Sequence, residues 1–216
     1  MARIEAFENH SDEYDRWFEV HSDLYEAELK ALRQVLPPPE AEGMEVGVGS
    51  GRFALPLGIK IGVEPSKQMA SKARTKGIKV YEAVAEALPF PDQRFDFVLM
   101  VTTICFVDDI AQSFREAYRV LKTGGHIIVG FVSKESQLGK QYIHNKSKSK
   151  FYKQAVFFSP YEIVSHLKQA GFQVSETRQT LIFNAPLARV ESGLDKGAFV
   201  VIKAVKNKYL LDDKPL

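Results

Sequence analysis

The sequence predicts an α/β fold built on a mostly parallel sheet, and three observations carry that prediction. Residues 44–53 read as an apolar lead followed by Gly47, Gly49 and Gly51 at alternate positions. That is the pattern of a buried strand ending in a tight turn that opens a helix, with its free N–H groups aimed at a ligand. Residues 95–101 form a nearly continuous apolar run, as expected of a central parallel strand covered on both faces. Short strand patterns at 60–63, 78–83, 95–101 and 126–131 alternate with helical ones at 66–73 and 110–121, which is how parallel crossovers are written in sequence.

Composition sets the outer bounds. The 216 residues are 45% hydrophobic and 26% charged, enough for one large domain with a proper core. A formal net charge of +2 argues against an electrostatic nucleic-acid binder, making a nucleic-acid partner unlikely on charge grounds. The single Cys105 excludes an intrachain disulfide framework and a cysteine-only zinc cluster, and no metal is expected. No apolar run reaches membrane-spanning length and the first residues lack a signal peptide's apolar region, so no membrane partner and a cytoplasmic location are the expectation.

Residues 6–36 are patterned as a helix, with aromatics at Phe7, Tyr14, Trp17, Phe18 and Tyr25, and Ser11 stands as a candidate cap ahead of Asp12 and Glu13. Pro37-Pro38-Pro39 stops it. Past Gly51 little chain remains before the second strand, so any helix there must be short. Glu64 follows that strand, where a carboxylate can accept from both ribose hydroxyls of a nucleoside laid across the strand ends. Ser66 is placed to cap a helix carrying Met69 and Ala73. The 110–121 stretch is amphipathic, with Phe114, Ala117, Tyr118 and Leu121 on one face, and Gly124-Gly125 turns it into the next strand. His126 begins that strand on the side away from the crevice, and Cys105 reads as a structural thiol. Residues 133–153 are polar and lysine-rich, a solvated connection or a lid over the crevice. Ser159-Pro160-Tyr161-Glu162 spells a capping box with proline in the first turn. Its helix ends at Gly171, strands follow at 172–183 and 198–206, and the tail from 208 reads as frayed.

Alternating glycines alone are weak evidence. Arg52 occupies the third glycine position of a dinucleotide fingerprint, and no Gly-Lys-Ser/Thr follows for a P-loop. The spelling Glu45-Val46-Gly47-Val48-Gly49-Ser50-Gly51 instead resembles the first motif of the class I S-adenosylmethionine-dependent methyltransferases. Glu64-Pro65-Ser66-Lys67-Gln68-Met69, the block Ala85-Glu86-Ala87-Leu88-Pro89-Phe90 through Phe95-Asp96, Arg119-Val120-Leu121-Lys122-Thr123-Gly124-Gly125 and the early Tyr14-Asp15-Arg16-Trp17-Phe18 are similar to further segments of the family's small-molecule, type 11-like branch. Two departures stand out. Val84 replaces an aspartate that the family often directs at the adenine, and the histidine pair common near Cys105 and Phe106 is missing.

The resemblance implies a Rossmann-like, seven-stranded, mostly parallel sheet with helices on both faces and a C-terminal antiparallel hairpin. It implies S-adenosylmethionine as cofactor, bound by Glu45, Gly47, Gly49, Gly51, Glu64, Pro65, Met69, Ala85, Glu86, Thr102 and Thr103. Tyr14, Tyr25, Tyr142 and His144 are its lid or substrate candidates. Residues 1–216 would form one methyltransferase domain: a helical cover at 6–40, the cofactor core at 41–132, a candidate substrate lid at 133–157, and a C-terminal helix and hairpin at 158–206. The implied reaction moves the sulfonium methyl group in line to a small-molecule nitrogen, oxygen or carboxylate acceptor. No catalytic residue is assigned, because alignment and water exclusion suffice for an activated methyl carbon. An RNA or protein methyltransferase, and a cofactor-binding module without turnover, stay open as alternatives. No Asn/Asp-Pro-Pro-Tyr/Phe motif for gripping a flipped base follows the 95–101 strand.

Overall fold

The computed structural model describes residues 3–207. Its seven strands are β1 (Gly43–Val46), β2 (Ile61–Val63), β3 (Lys79–Tyr81), β4 (Phe95–Val101), β5 (Leu121–Val132), β6 (Phe172–Ile182) and β7 (Gly197–Lys206). They lie in the order β3-β2-β1-β4-β5-β7-β6. The first five pair in parallel, while β7 runs antiparallel to both β5 and β6. The expected fold and its closing hairpin are present. Connections run one way from β1 to β3 and the other way from β4 to β5, so the topological switch lies between β1 and β4.

Strand alternation divides the core into two layers. Met44, Val46, Val98, Met100, Ile127 and Val129 face the layer closed by helices α5 (Ile110–Val120) and α7 (Pro160–Gln169). Phe97, Leu99, Val101, Ile128, Phe199 and Val201 face the layer of α3 (Ser22–Arg33) and α4 (Lys67–Thr75). Burial on both faces is why residues 95–101 carry almost no polar side chain. The helix starts obey their caps: the side chains of Ser66 and Asp109 accept from the N–H groups of Met69 and Gln112. Ser159 and Glu162 form the complete reciprocal box.

Several elements differ from the sequence expectation. The 6–36 pattern is three helices, α1 (Glu5–Asn9), α2 (Ser11–Val20) and α3, broken at His10 and His21. Ser11 is therefore a first-turn residue, and the α2 cap is His10, without a side-chain cap bond. One straight helix over that span would run about 45 Å; the breaks let α2 bury Phe18 and α3 bury Leu29 and Leu32 along separate axes. No helix opens from the glycine turn. Residues 50–58 advance through consecutive turns, with the N–H of Leu55 bonding Gly51 O and that of Leu57 bonding Phe53 O. Pro56 supplies no donor and Gly58 turns left-handed at φ +74°, so the coil ends before a helix is established. In the 133–157 segment a helix was missed: α6 (Gln137–His144), capped by Ser136 and followed by a 3₁₀ turn at Lys146–Lys148. β3 is shorter than expected and β5 longer, since Leu121 already pairs with Phe95 ahead of the Gly124 turn. The tail from 208 lies outside the described residues.

Candidate functional site

A cavity of about 650 Å³ opens at the carboxyl ends of β1, β2 and β4, the switch point of the sheet. The glycine turn forms its floor. Gly47 is left-handed at φ +72°, and a Cβ there would lie 2.3 Å from Thr103 Oγ1, so this position admits only glycine. Gly49, at φ +54°, would bring a Cβ into ordinary contact with Met69 Cε at 3.6 Å, so its left-handed backbone is what favours glycine.

Glu64 stands just beyond β2 and is 6% exposed. Its two oxygens accept separately, one from Gly49 N–H and one from Ser66 N–H, both at 2.9 Å. Burial pushes its carboxyl up to about 7, and the Ser66 and Gly49 donors hold that rise back. Pro65, Met69, Ala85, Glu86, Thr102, Thr103 and Tyr14 all line the same cavity, with Val84 beside them. Thr102 closes β4 in a left-handed conformation, φ +51°, unusual for a β-branched residue. Its N–H bonds Gly130 O at 2.8 Å, and its hydroxyl meets the Tyr14 phenol, which burial raises above its ordinary range.

Other expected site residues lie elsewhere. Glu45 points away from the cavity, because strand alternation turns it to the opposite side from Met44 and Val46. Its carboxyl accepts from Ala54 N–H, its Oε2 is buried without a partner, and burial together with the Glu64 charge raises it well above the carboxylate range. Gly51 packs against Ile78 and supports the turn from outside the cavity. Glu86 lines the cavity, but its carboxylate accepts from the N–H groups of Asp108 and Asp109 and so braces the loop ahead of α5. Tyr25 donates to Arg52 O and packs with Phe18 and Phe53, away from the crevice. His144 is exposed at the last position of α6, where the unforeseen helix turns it away from Tyr142.

Tyr142 belongs to a second cavity of about 350 Å³, walled by Cys105, Val132, Tyr142, Tyr152 and Phe157. Thr102 lines both cavities. Cys105 is only partly buried as a residue, but its Sγ is within reach of Thr102 O and burial pushes the thiol up to about 12, in keeping with a structural role.

The N-terminal helices roof the first cavity. Asp15 of α2 accepts from Ser50 Oγ (2.5 Å), Arg52 Nε (2.8 Å) and Lys72 Nζ (3.0 Å), while Arg52 also donates to Asp15 O and Glu19. Ser66 Oγ donates to Glu8 of α1 at 2.6 Å. Sequence reasoning missed Arg3, Phe7 and Phe106 in this roof and Arg52 as its anchor. It also missed Glu28, a carboxylate on the apolar stripe of α3 that is 4% exposed; an acidic residue in phase with Tyr25, Leu29 and Leu32 was the available signal.

Residues 44–129 match the family model described as a methyltransferase domain. A solved structure from Thermotoga maritima, described as an S-adenosylmethionine-dependent methyltransferase and possible histamine N-methyltransferase, is 50% identical. It covers 95% of this chain and 100% of its own, with a TM-score of 0.90. The chain belongs to the class I S-adenosylmethionine-dependent methyltransferases. An uncharacterised protein of Methanocaldococcus jannaschii is 43% identical to this methyltransferase over 206 residues, covering 94% of it and 100% of the relative. A demethylmenaquinone methyltransferase of Chlorobaculum parvum is 33% identical over 126 residues, covering about half of each chain. S-adenosylmethionine is the methyltransferase's cofactor. Among the described residues no cluster of His, Cys, Asp and Glu is placed to hold a metal ion, and no helix is long and apolar enough to cross a membrane.

Proposed function

We propose that the methyltransferase acts on a small molecule with a nitrogen, oxygen or carboxylate acceptor, seated in the 350 Å³ cavity and approached through Thr102. The observation that carries this reading is that Thr102, at the end of β4, lines both the cofactor cavity and a smaller neighbouring one. Both are enclosed by side chains of this one chain, which favours a compact acceptor over a polymer. The names of the Thermotoga and Chlorobaculum relatives, for histamine and demethylmenaquinone, support a small acceptor.

The cavity residues fit the cofactor. Each Glu64 oxygen uses one lone pair on a backbone N–H and keeps another for a ribose hydroxyl. Gly47 and Gly49 let the backbone approach a ligand closely, and Pro65 and Met69 supply apolar surface for the adenine. Ala85 would meet the adenine edge with its backbone, now that the Glu86 carboxylate is engaged and Val84 brings no polar group. Thr102 and Thr103 would border the methionine moiety. When bound, the cofactor supplies a methyl carbon already activated by its positive sulfur. The chain's own part is to hold the acceptor in line with that carbon, while Tyr14, Phe7 and Phe106 keep water out. In this reading the chain is one domain, residues 6–40 are its cover, and the 133–157 segment closes the acceptor side.

Calorimetric titration with S-adenosylmethionine and with its demethylated product tests the cofactor site. Micromolar binding is expected, weakened at least tenfold, or about 1.4 kcal/mol, in Glu64→Ala, with no response to NAD. Folded protein that binds neither ligand would overturn the proposed site.

A further inference from the structure

The two cavities differ in kind. Arg3, Glu64 and Glu86 stand among the walls of the first, so charged parts of a ligand find partners there. The second is walled by Thr102, Ile104 and Cys105 after β4, Phe131 and Val132 at the end of β5, Tyr142 of α6 and four residues between 152 and 158. None of these ten residues carries a charge at neutral pH. Residues 136–161 hold five lysines and no acidic residue, yet none of the lysines is part of the lining. Lys150 and Lys153 instead line a separate groove with Arg3 and His10. Glu28 is not among the walls either, and burial, which raises it to about 8, keeps its proton on near neutral pH.

The polar groups of these walls are few and mostly engaged. Val156 N–H donates to Cys105 O at 2.9 Å, tying the 152–158 segment to the loop after β4. Arg3 also donates to Cys105 O, at 3.4 Å, but lines the first cavity and not the second. The Cys105 thiol donates to Thr102 O at 3.2 Å. Tyr142 and Tyr152 stack with centroids 4.9 Å apart and Phe106 stacks on Tyr152 at 6.2 Å, so ring edges and hydroxyls are what the two tyrosines have left to offer. Neither hydroxyl has a hydrogen-bond partner among the described residues, and neither oxygen is sealed from its surroundings. Both stay neutral donors, since burial pushes Tyr142 up to about 12 and Tyr152 well above the usual phenol range.

An ion moved among such walls loses its hydration and gains no counter-charge, whereas an apolar ring gains by leaving water. We propose that the second cavity takes the methyl acceptor as an uncharged molecule, seating an apolar ring among its walls and meeting its polar end with the hydroxyls of Tyr142 and Tyr152. This rests on the methyltransferase reading of that cavity and names its substrate class. Of the acceptors proposed above it keeps nitrogen and oxygen and drops the carboxylate, which is ionised at neutral pH. An amine enters in its uncharged form.

Three probes sharing one ring system separate the charge states: 2-naphthalenemethanol, 2-naphthalenemethylamine and 2-naphthoate. They are titrated near pH 7 into the full chain saturated with S-adenosylhomocysteine and followed by ligand-observed NMR. The alcohol is expected to bind at least tenfold more tightly than the ammonium or the carboxylate probe, a difference of about 1.4 kcal/mol. Val156 is a wall residue that is 40% exposed, so a charge there keeps access to water. Val156→Glu should weaken the alcohol several-fold and reverse the order in favour of the amine, leaving S-adenosylhomocysteine affinity within about twofold. Tyr142→Phe combined with Tyr152→Phe should weaken the alcohol several-fold and leave 2-methylnaphthalene unchanged, a split that loss of packing would not produce. Equal binding of the three probes, tighter binding of either ion, or no binding of any probe to folded protein overturns the uncharged-acceptor site. So does an order untouched by Val156→Glu, or an alcohol affinity untouched by the paired phenylalanines. In each case bound S-adenosylhomocysteine would leave the methyltransferase reading standing. Alcohol selectivity that answers to Val156→Glu in a chain that ignores S-adenosylhomocysteine would support the apolar site and remove its methyl-transfer role.

Discussion

Glu28, Glu45 and Glu64 are each more than nine-tenths buried, and their environments separate them. Glu64 has two backbone donors and is raised to about 7; Glu28 has none and is raised to about 8. Glu45 has one donor but also faces the Glu64 charge, and is raised well above the carboxylate range. Burial is the first cause in all three; backbone N–H donors hold the rise back at Glu64 and Glu45, and the Glu64 charge adds to it at Glu45. The consequence for stability has a definite sign. Below the ordinary carboxyl value of 4.5 Glu28 is protonated in folded and unfolded chains alike. Between 4.5 and about 8 the unfolded chain ionises while the buried group keeps its proton, so native stability falls as pH rises, and above 8 the penalty is complete. Glutamine cannot titrate. Without ligand, Glu28→Gln should therefore melt close to the native protein at pH 5 and several degrees above it at pH 8.5, given roughly 2–4 °C per kcal/mol at this chain length. Tyr14, Tyr142 and Tyr152 are all raised and stay neutral across that range. A melting difference independent of pH would mean that Glu28 is not the buried ionising group described.

Among the elements, α2 depends on Arg52, the residue whose presence argued against a dinucleotide fingerprint. The side chain that breaks that motif reaches Asp15 and Glu19 and ties the helix to the glycine turn. Burial would lift the Asp15 carboxyl; hydrogen bonds from Ser50, Arg52 and Lys72 outweigh it and hold the group below its ordinary range. This anchoring is complete above the ordinary aspartate range and is lost as pH falls through the lower folded value. Asp15→Asn should cost about 1–3 kcal/mol of local stability, the scale of hydrogen bonds to a charged group. Hydrogen exchange would show it as faster exchange in α1 and α2, with β1, β4 and β5 unchanged; equal loss of protection in those strands would mean that the contact supports the whole fold instead. Elements announced by local chemistry were legible in the sequence: β4 by its apolar run, α5 by amphipathicity, and α7 by its capping box. The breaks at His10 and His21 were not, because neither residue is a helix stopper and the breaks depend on packing between segments far apart in sequence. Helix α6 hid in a lysine-rich stretch where only Ser136 signalled a start. Glu64 could be placed from its distance to the glycines, whereas the engagement of Glu86 by the 108–109 backbone depends on contacts 22 residues or more away.

At the scale of the whole molecule, the two ends of the crevice roof come from segments far apart in sequence. Lys150 Nζ lies 2.9 Å from both carboxylate oxygens of Glu13, and Phe151 packs with Phe7 and Tyr14 at centroid distances of 5.6 and 5.9 Å. The N-terminal helices and the segment after α6 thus meet beside the cavity that opens at the sheet's switch point, where their contacts can slow the exit of a bound ligand. Two kinds of contact hold the seam, and salt distinguishes them. The Lys150–Glu13 pair is about half exposed, so mobile ions screen it, since the Debye length shrinks from about 10 Å at 0.1 M salt to 3 Å at 1 M. The aromatic contacts, being apolar, are not weakened by screening. Stopped-flow release of S-adenosylhomocysteine should therefore accelerate about two- to threefold between low and high salt, the modest effect expected of an exposed pair. Lys150→Met should begin at the faster rate and lose most of that salt dependence. Phe151→Ala should release the ligand faster at every salt concentration and keep the same dependence on salt. Release that ignores both substitutions would place the exit elsewhere, and the roof would then be a fixed wall of the cofactor cavity rather than its gate.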